Sequence, residues 1–222
     1  MRAERGSALV LVLLCASLFL VLGGALVAVA TTEATISATF RESAAALAGA
    51  EAAVVRVLSD LAGAPDLNAV LSGSVVSTFN DGAAAAPRRL PDGTMLDLVA
   101  TTAIERCGAP VCTDDDMNAV TADRPWGVNN ARWQLYGSGW LRDLAPQPVE
   151  APHVYVGVWV GDDPLEADGN PLIDATAPDA LGHDVVLLRA TAWAAYSVRR
   201  RIEVVARRVS GVARVTSWRE LR

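Results

Sequence analysis

At 222 residues the chain has room for one ordinary domain beside its N-terminal segment. Its formal charge of −6 excludes a general electrostatic attraction to nucleic acid. All 19 basic residues are Arg, which we read as a genome-composition bias rather than as chemistry.

The chain opens with a short charged leader, residues 1–6, that ends in Arg5-Gly6. An apolar run of 24 residues, Ser7 to Ala30, follows without a charge or a proline. About 20 apolar residues suffice to cross a bilayer core as a helix. No breaker interrupts the helical pattern until Gly63-Ala64-Pro65, so residues 7–62 read as one helix, with a membrane-spanning part (7–30) and an amphipathic part (31–62). In the second part Ile36, Phe40, Ala44, Leu47, Val54, Leu58 and Leu61 recur on one helical face. The stretch Ser43 to Ala53 is rich in small residues, which allow close helix–helix approach. Glu51 lies at the edge of the stripe, either as a solvated carboxylate or as one half of an ion pair with a neighbouring subunit.

Three processing routes compete for this N-terminus. Ala28-Val29-Ala30 offers a signal-peptidase site, but the apolar run is longer than a signal peptide needs and no turn precedes that site. A lipoprotein signal is disfavoured, because Leu13-Leu14 rather than small residues precede Cys15. A prepilin-type leader fits better: Arg2 and Arg5 lie on the cytoplasmic side, Gly6 precedes the cut, and Ser7 begins the mature apolar helix.

Gly6-Ser7-Ala8-Leu9-Val10-Leu11-Val12-Leu13-Leu14, then Thr31-Thr32-Glu33, then Ala48-Gly49-Ala50-Glu51-Ala52-Ala53, resemble the N-terminal region of PilX-type type IV pilus assembly proteins. These are minor pilins, similar in plan to the minor pseudopilins of type II secretion. The likeness covers residues 1–62, and the remainder of the chain matches in plan. It implies cleavage between Gly6 and Ser7 by a prepilin peptidase and methylation of the new N-terminus. The helix would sit in the inner membrane as a single pass with the head on the periplasmic side, then pack into a pilus or pseudopilus. The implied partners are other pilins and the inner-membrane assembly platform, with no direct nucleic-acid partner and no enzymatic role. Most pilins carry Glu as the fifth residue after the cleaved Gly; here that position is Leu11. A subunit lacking that Glu cannot neutralise its neighbour's buried amine, so a minor position such as the tip suits it better than the bulk of the filament.

Residues 63–94 read as a loop-rich linker, with Asn80-Asp81-Gly82 and Pro91-Asp92-Gly93 as turn signals. Residues 95–222 read as a β-rich head, with strand-like runs at 95–103, 131–141, 153–160, 184–196, 199–209 and 212–218. The last three are joined by short connections, predicting an antiparallel meander. The expected class is α+β, with the sheet covering the Val54, Leu58 and Leu61 stripe of the long helix. Cys107 and Cys112 can close a small disulfide loop in an oxidising compartment; a metal pair is the competing reading, but no second Cys pair or His cluster accompanies them.

No nucleotide-binding or zinc-protease motif is present, and His153 and His183 stand far apart without a nucleophile motif. Trp133, Trp140 and Trp159 are assigned to sheet and core. The residues from Gly161 to Asp174 gather five carboxylates and an Asn, tightened by Gly169 and Pro171. Asp162, Asp163, Asp168, Asn170 and Asp174 are the candidate Ca²⁺ ligands, against the plainer reading of a solvated acidic loop. The spacing is not that of an EF-hand. Asp114-Asp115-Asp116 is a weaker candidate, read as a solvated turn. The expected function is a minor pilin or pseudopilin that helps prime, cap or assemble a filament. The alternative is a signal-bearing or membrane-anchored envelope protein with a calcium-stabilised β-domain.

Overall fold

The computed structural model describes residues 4–145, 151–166, 168–174 and 181–221, with side chains of the first helix described from residue 7. The fold is α+β: a long N-terminal helix and a C-terminal five-stranded antiparallel sheet. Two units divide the chain, residues 1–41 and residues 42–222.

Helix α1 runs Glu4–Gly63. Through residues 7–37 every side chain is exposed, and the exposed set includes Leu9, Leu13, Phe19, Leu22 and Val29. The helix is long and apolar enough to cross a membrane. Several of its hydroxyls donate back within the helix: Ser17 to the Leu14 carbonyl, Thr31 and Thr32 to that of Ala28, and Thr35 to that of Thr31. Such back-bonding is what an apolar surrounding requires of a hydroxyl.

In the second unit, the part of α1 from Glu42 to Gly63 forms a core with the sheet. The buried face is Ala46, Ala50, Ala53, Val54, Val57 and Leu61. Of the expected stripe, Val54 and Leu61 are buried and Leu47 and Leu58 half-buried against this core, as expected of the part the sheet covers; Ala44 is exposed, as are Ile36 and Phe40 in the first unit. Ala46, Gly49, Ala50 and Ala53 let the helix come close to the sheet. A Cβ added to Gly49 would lie 3.0 Å from Val154 Cγ1 and 3.6 Å from Val156 Cγ1. Of the small residues of 43–53, Ala46, Gly49, Ala50 and Ala53 thus serve helix–sheet packing, and Ala44 and Ala48 stay exposed.

The region expected to be a linker is instead part of the head. Asp66 caps helix α2 (Leu67–Leu71) by accepting the Asn68 N–H at 2.9 Å, and Leu67, Val70, Leu71 and Phe79 enter the same core as α1. Strands β1 (Arg88–Arg89) and β2 (Met95–Leu96) form a small hairpin around the Pro91-Asp92-Gly93 turn. The strand expected at 95–103 stops after two residues. The Asp97 carboxylate accepts the N–H groups of Val99 and Ala100 at 2.8 and 3.0 Å and starts helix α3, Leu98–Cys107. Its β-branched Val99, Thr101 and Thr102 favour a strand, but the cap decides the local structure. Asp114-Asp115-Asp116 is the first turn of helix α4 (Asp114–Asn118), closed by a capping box between Thr113 and Asp116.

The main sheet comprises β3 (Gln134–Trp140), β4 (Tyr155–Asp162), β5 (Val185–Trp193), β6 (Arg199–Val209) and β7 (Val212–Leu221), hydrogen-bonded in that order. Its free β3 edge is covered by residues 77–81: Ser77 N–H donates to Tyr136 and Asp81 N–H to Ser138, and Ser138 N–H donates back to Phe79. Gly137 permits this approach, since a Cβ there would lie 2.8 Å from the Phe79 carbonyl oxygen. Every residue of β4 is buried. One face of the sheet packs on α1 and α2. The other packs Tyr155, Trp159 and Trp193 with Leu90, Leu96, Leu98 and Trp133.

On that second face, register aligns charges. Trp159, Arg189, Glu203 and Arg219 stand opposite one another across β4 to β7. Arg189 bridges Glu203 Oε2 at 2.6 Å and Glu105 Oε2 of α3 at 2.7 Å, while Arg201 reaches Glu105 Oε1 at 3.1 Å. Arg219 pairs with Glu203 Oε1, and Arg189 lies 4.0 Å over the Trp133 ring. Burial pushes the Glu203 carboxyl up, but its bonds to Arg189 and Arg219 outweigh that and hold it below the usual range.

Three outcomes follow for the head. Gly137→Ala forces Cβ against backbone and lowers stability by about 1–3 kcal/mol, read by thermal denaturation. Glu105→Ala leaves Arg189 paired with Glu203 alone and takes the Glu105 carboxylate from Arg201, and costs about 1–3 kcal/mol on the same assay. Because the folded-state value of Glu203 is depressed, its contribution is present above the unfolded-state value and is lost as pH falls through the folded-state one. The stability gap between wild type and Glu203→Gln, measured by urea denaturation, is therefore widest at neutral pH and closes in acid.

Candidate functional site: the acidic loop after β4

Strand β4 ends at Asp162, and the loop turns at once through a 3₁₀ turn at Pro164–Glu166. Asp163 starts that turn, its Oδ1 accepting the Leu165 N–H at 3.1 Å. Asp168 Oδ1 accepts the Asn170 N–H at 2.8 Å, and Asn170 Oδ1 the Leu172 N–H at 3.4 Å. Asn129 holds the loop from outside by accepting the Gly169 N–H at 2.7 Å. Asp163, Asp168 and Asn170 are therefore all engaged in shaping the turn.

Among the described residues, two carboxylate groups are close enough to share a ligand. The expected set of five does not form one of them. Asp162 and Asp168 come together with Glu166, their ligand atoms within 4.8 Å of one another. Asp174 joins a different group, with His183 and Asp184. The 3₁₀ turn explains the first grouping, because it returns Glu166 toward the end of β4, an i to i+4 relation that the composition of the loop alone did not single out.

Asp162 is the unusual member, with 3 % of its surface exposed. Its Oδ1 is buried and has no hydrogen-bond partner. Burial raises its pKa well above the usual carboxylate range, the facing Glu166 carboxyl raises it further, and the Asp163 amide opposes the shift. Two unit charges about 4 Å apart repel by about 4 kcal/mol at an effective dielectric constant of about 20. The arrangement therefore calls for a proton or a cation.

The second group is already engaged by other groups of the protein. Asp184 Oδ1 accepts from Arg208 Nε at 3.0 Å and pairs with its Nη2 at 2.9 Å. His183 Nδ1 lies 3.4 Å from Asp174 Oδ2. Asp174 Oδ1 accepts the Asp184 N–H at 2.9 Å, and the Asp174 N–H donates to Asn68 Oδ1 at 2.8 Å. Burial keeps the Asp174 carboxyl above its ordinary value, against the Asp184 amide and His183. Arg208 Nη1 also donates to the Ala64 carbonyl at 2.8 Å, placing a cation just past the end of α1. This is a structural clasp linking β6, β5 and the end of the helix, and neither His183 nor Arg208 carried a sequence signal for it.

The remaining expected positions fall elsewhere. Gly6 and Ser7 lie in the first turns of α1, and Leu11 and Glu51 are exposed on it. Cys107 and Cys112 are paired as a disulfide, with Cα atoms 6.0 Å apart; Cys15 is free and exposed. His153 stacks on Trp140 with ring centroids 4.3 Å apart. No protein-family model matches the chain, and neither a curated protein nor a solved structure does.

Arg208→Ala removes the clasp and is expected to lower stability by about 1–2 kcal/mol in thermal denaturation. Asn68→Ala, which leaves the Asp174 N–H unmet, is expected to cost less.

Proposed function

We propose that the chain is a minor pilin or pseudopilin, processed after Gly6, that helps prime, cap or assemble a type IV pilus or related secretion filament. The observation that carries this reading is the double character of α1. One uninterrupted helix, Glu4–Gly63, is exposed throughout residues 7–37 with an apolar surface, and forms the core of an α+β head through Ala46, Ala50, Ala53, Val57 and Leu61. A removable signal peptide has no need to continue in the same helix as the head's core. An apolar surface of this extent needs a membrane or a protein partner to cover it.

In this account the segment from Ser7 holds the precursor in the inner membrane and later packs among the helices of a filament, with the head on the periplasmic side. Leu11 in place of the usual Glu makes it a minor subunit. The exposed Glu51 is free of the head's core and so available to a neighbouring pilin. No step of this role asks the chain for catalysis.

The test is Gly6→Val in the native host. The variant is expected to keep its leader, stay in the membrane fraction at precursor mass, and be absent from sheared filaments. A Gly6→Val protein that is shortened and distributed like wild type contradicts the reading.

A further inference from the structure

We propose that Asp162, Glu166 and Asp168 form a binding site for a hard divalent cation, with calcium the first to test. The proposal goes beyond the filament reading and holds for any anchored head with this loop. Two observations carry it. The first is convergence: three carboxylates from the end of β4, the 3₁₀ turn and the following bend offer ligand atoms within 4.8 Å of one another. The second is Asp162 itself, nine-tenths buried and more, whose Oδ1 has no hydrogen-bond donor. A buried carboxylate oxygen without a donor is rare, because the desolvation is not compensated. An oxygen-seeking cation supplies the missing partner of Asp162 Oδ1.

The donor set is all oxygen, which suits Ca²⁺ or Mg²⁺ rather than a thiolate- or imidazole-seeking metal. Three carboxylates provide three to six of the six to eight oxygens that calcium takes, and water and backbone carbonyls complete the shell. The loop is already shaped for this by the Asp163 and Asn170 turns and by the Asn129 bond to Gly169. The group around Asp174 lacks this character, since Arg208 and the Asp184 amide occupy its carboxylates.

The test is calorimetric titration of the full chain in detergent micelles with CaCl₂ and MgCl₂ after EDTA treatment, with thermal denaturation alongside. The expected result is one saturable site with a dissociation constant between about 10⁻⁶ and 10⁻³ M and a raised melting temperature. Asp162→Asn and Asp168→Asn should each weaken binding by about tenfold or more. Asp168→Asn keeps the Oδ1 that accepts the Asn170 N–H and is exposed, so it reports on ligation even where Asp162→Asn fails to fold. Asp92→Asn, in the β1–β2 turn, should bind as wild type does. Absence of heat and of a melting shift with either cation overturns the proposal, as does equal binding by Asp168→Asn. A protein that ignores both cations but gains stability from Asp162→Asn points to a shared proton at the site and likewise overturns it.

Discussion

The architecture depends on how closely the second half of α1 approaches the sheet. Ala46, Gly49, Ala50 and Ala53 leave almost no side chain between helix and strands, and Val154 and Val156 fill the space that remains. Val57 and Leu61, further along the helix, enter the same core as Val158, Val186, Ala190, Ile202 and Ala206 of the sheet. Dispersion contacts are lost over fractions of an ångström, so one larger residue at Gly49 would be felt along the whole helix–sheet seam. The same helix is apolar and exposed earlier in its course, so its surface changes from one meant for an apolar surrounding to one matched to a single β-sheet.

The opposite face of the sheet is organised by charge within an aromatic layer. Glu105 and Glu203 are buried and acceptable because Arg189 joins them and Arg201 and Arg219 complete them. Trp133 beneath Arg189 and Trp159, bonded through Nε1 to Thr102 at 2.8 Å, pin α3 to this network. Such a network contributes less to net stability than to fixing one arrangement, since an apolar replacement could bury the same area. Nearby, the Asp81 carboxylate accepts from Arg88 at 2.8 Å and from the Tyr155 hydroxyl at 3.2 Å, tying the β1 hairpin and the loop after Phe79 to β4.

Much of this was legible in the sequence where periodicity is long. The uninterrupted α1, the last three strands and their meander order all follow from periodic or strand-like runs and the short connections between them. Legibility failed where one hydrogen bond decides the local structure. Asp97 turned an expected strand into α3, and Asp66 turned part of an expected linker into α2, whose Leu67, Val70 and Leu71 carry no period long enough to read. On α1 the Val54, Leu58 and Leu61 part of the stripe was legible, whereas Ala46, Ala50 and Ala53 were not singled out because Ala carries little hydrophobic signal of its own. In the acidic loop the composition showed where the carboxylates gather along the chain, while their partition into two groups depended on a 3₁₀ turn and on Arg208, which arrives from another strand.

The central claim is that the apolar half of α1 remains on the mature protein and continues into the head. Mass spectrometry of the N-terminus, on protein taken from its native membrane fraction, tests this most directly. The account requires a chain beginning at Ser7, with an N-methyl group. A chain beginning at Thr31 would contradict it and leave a secreted head, and an intact Met1 would leave a simple membrane anchor.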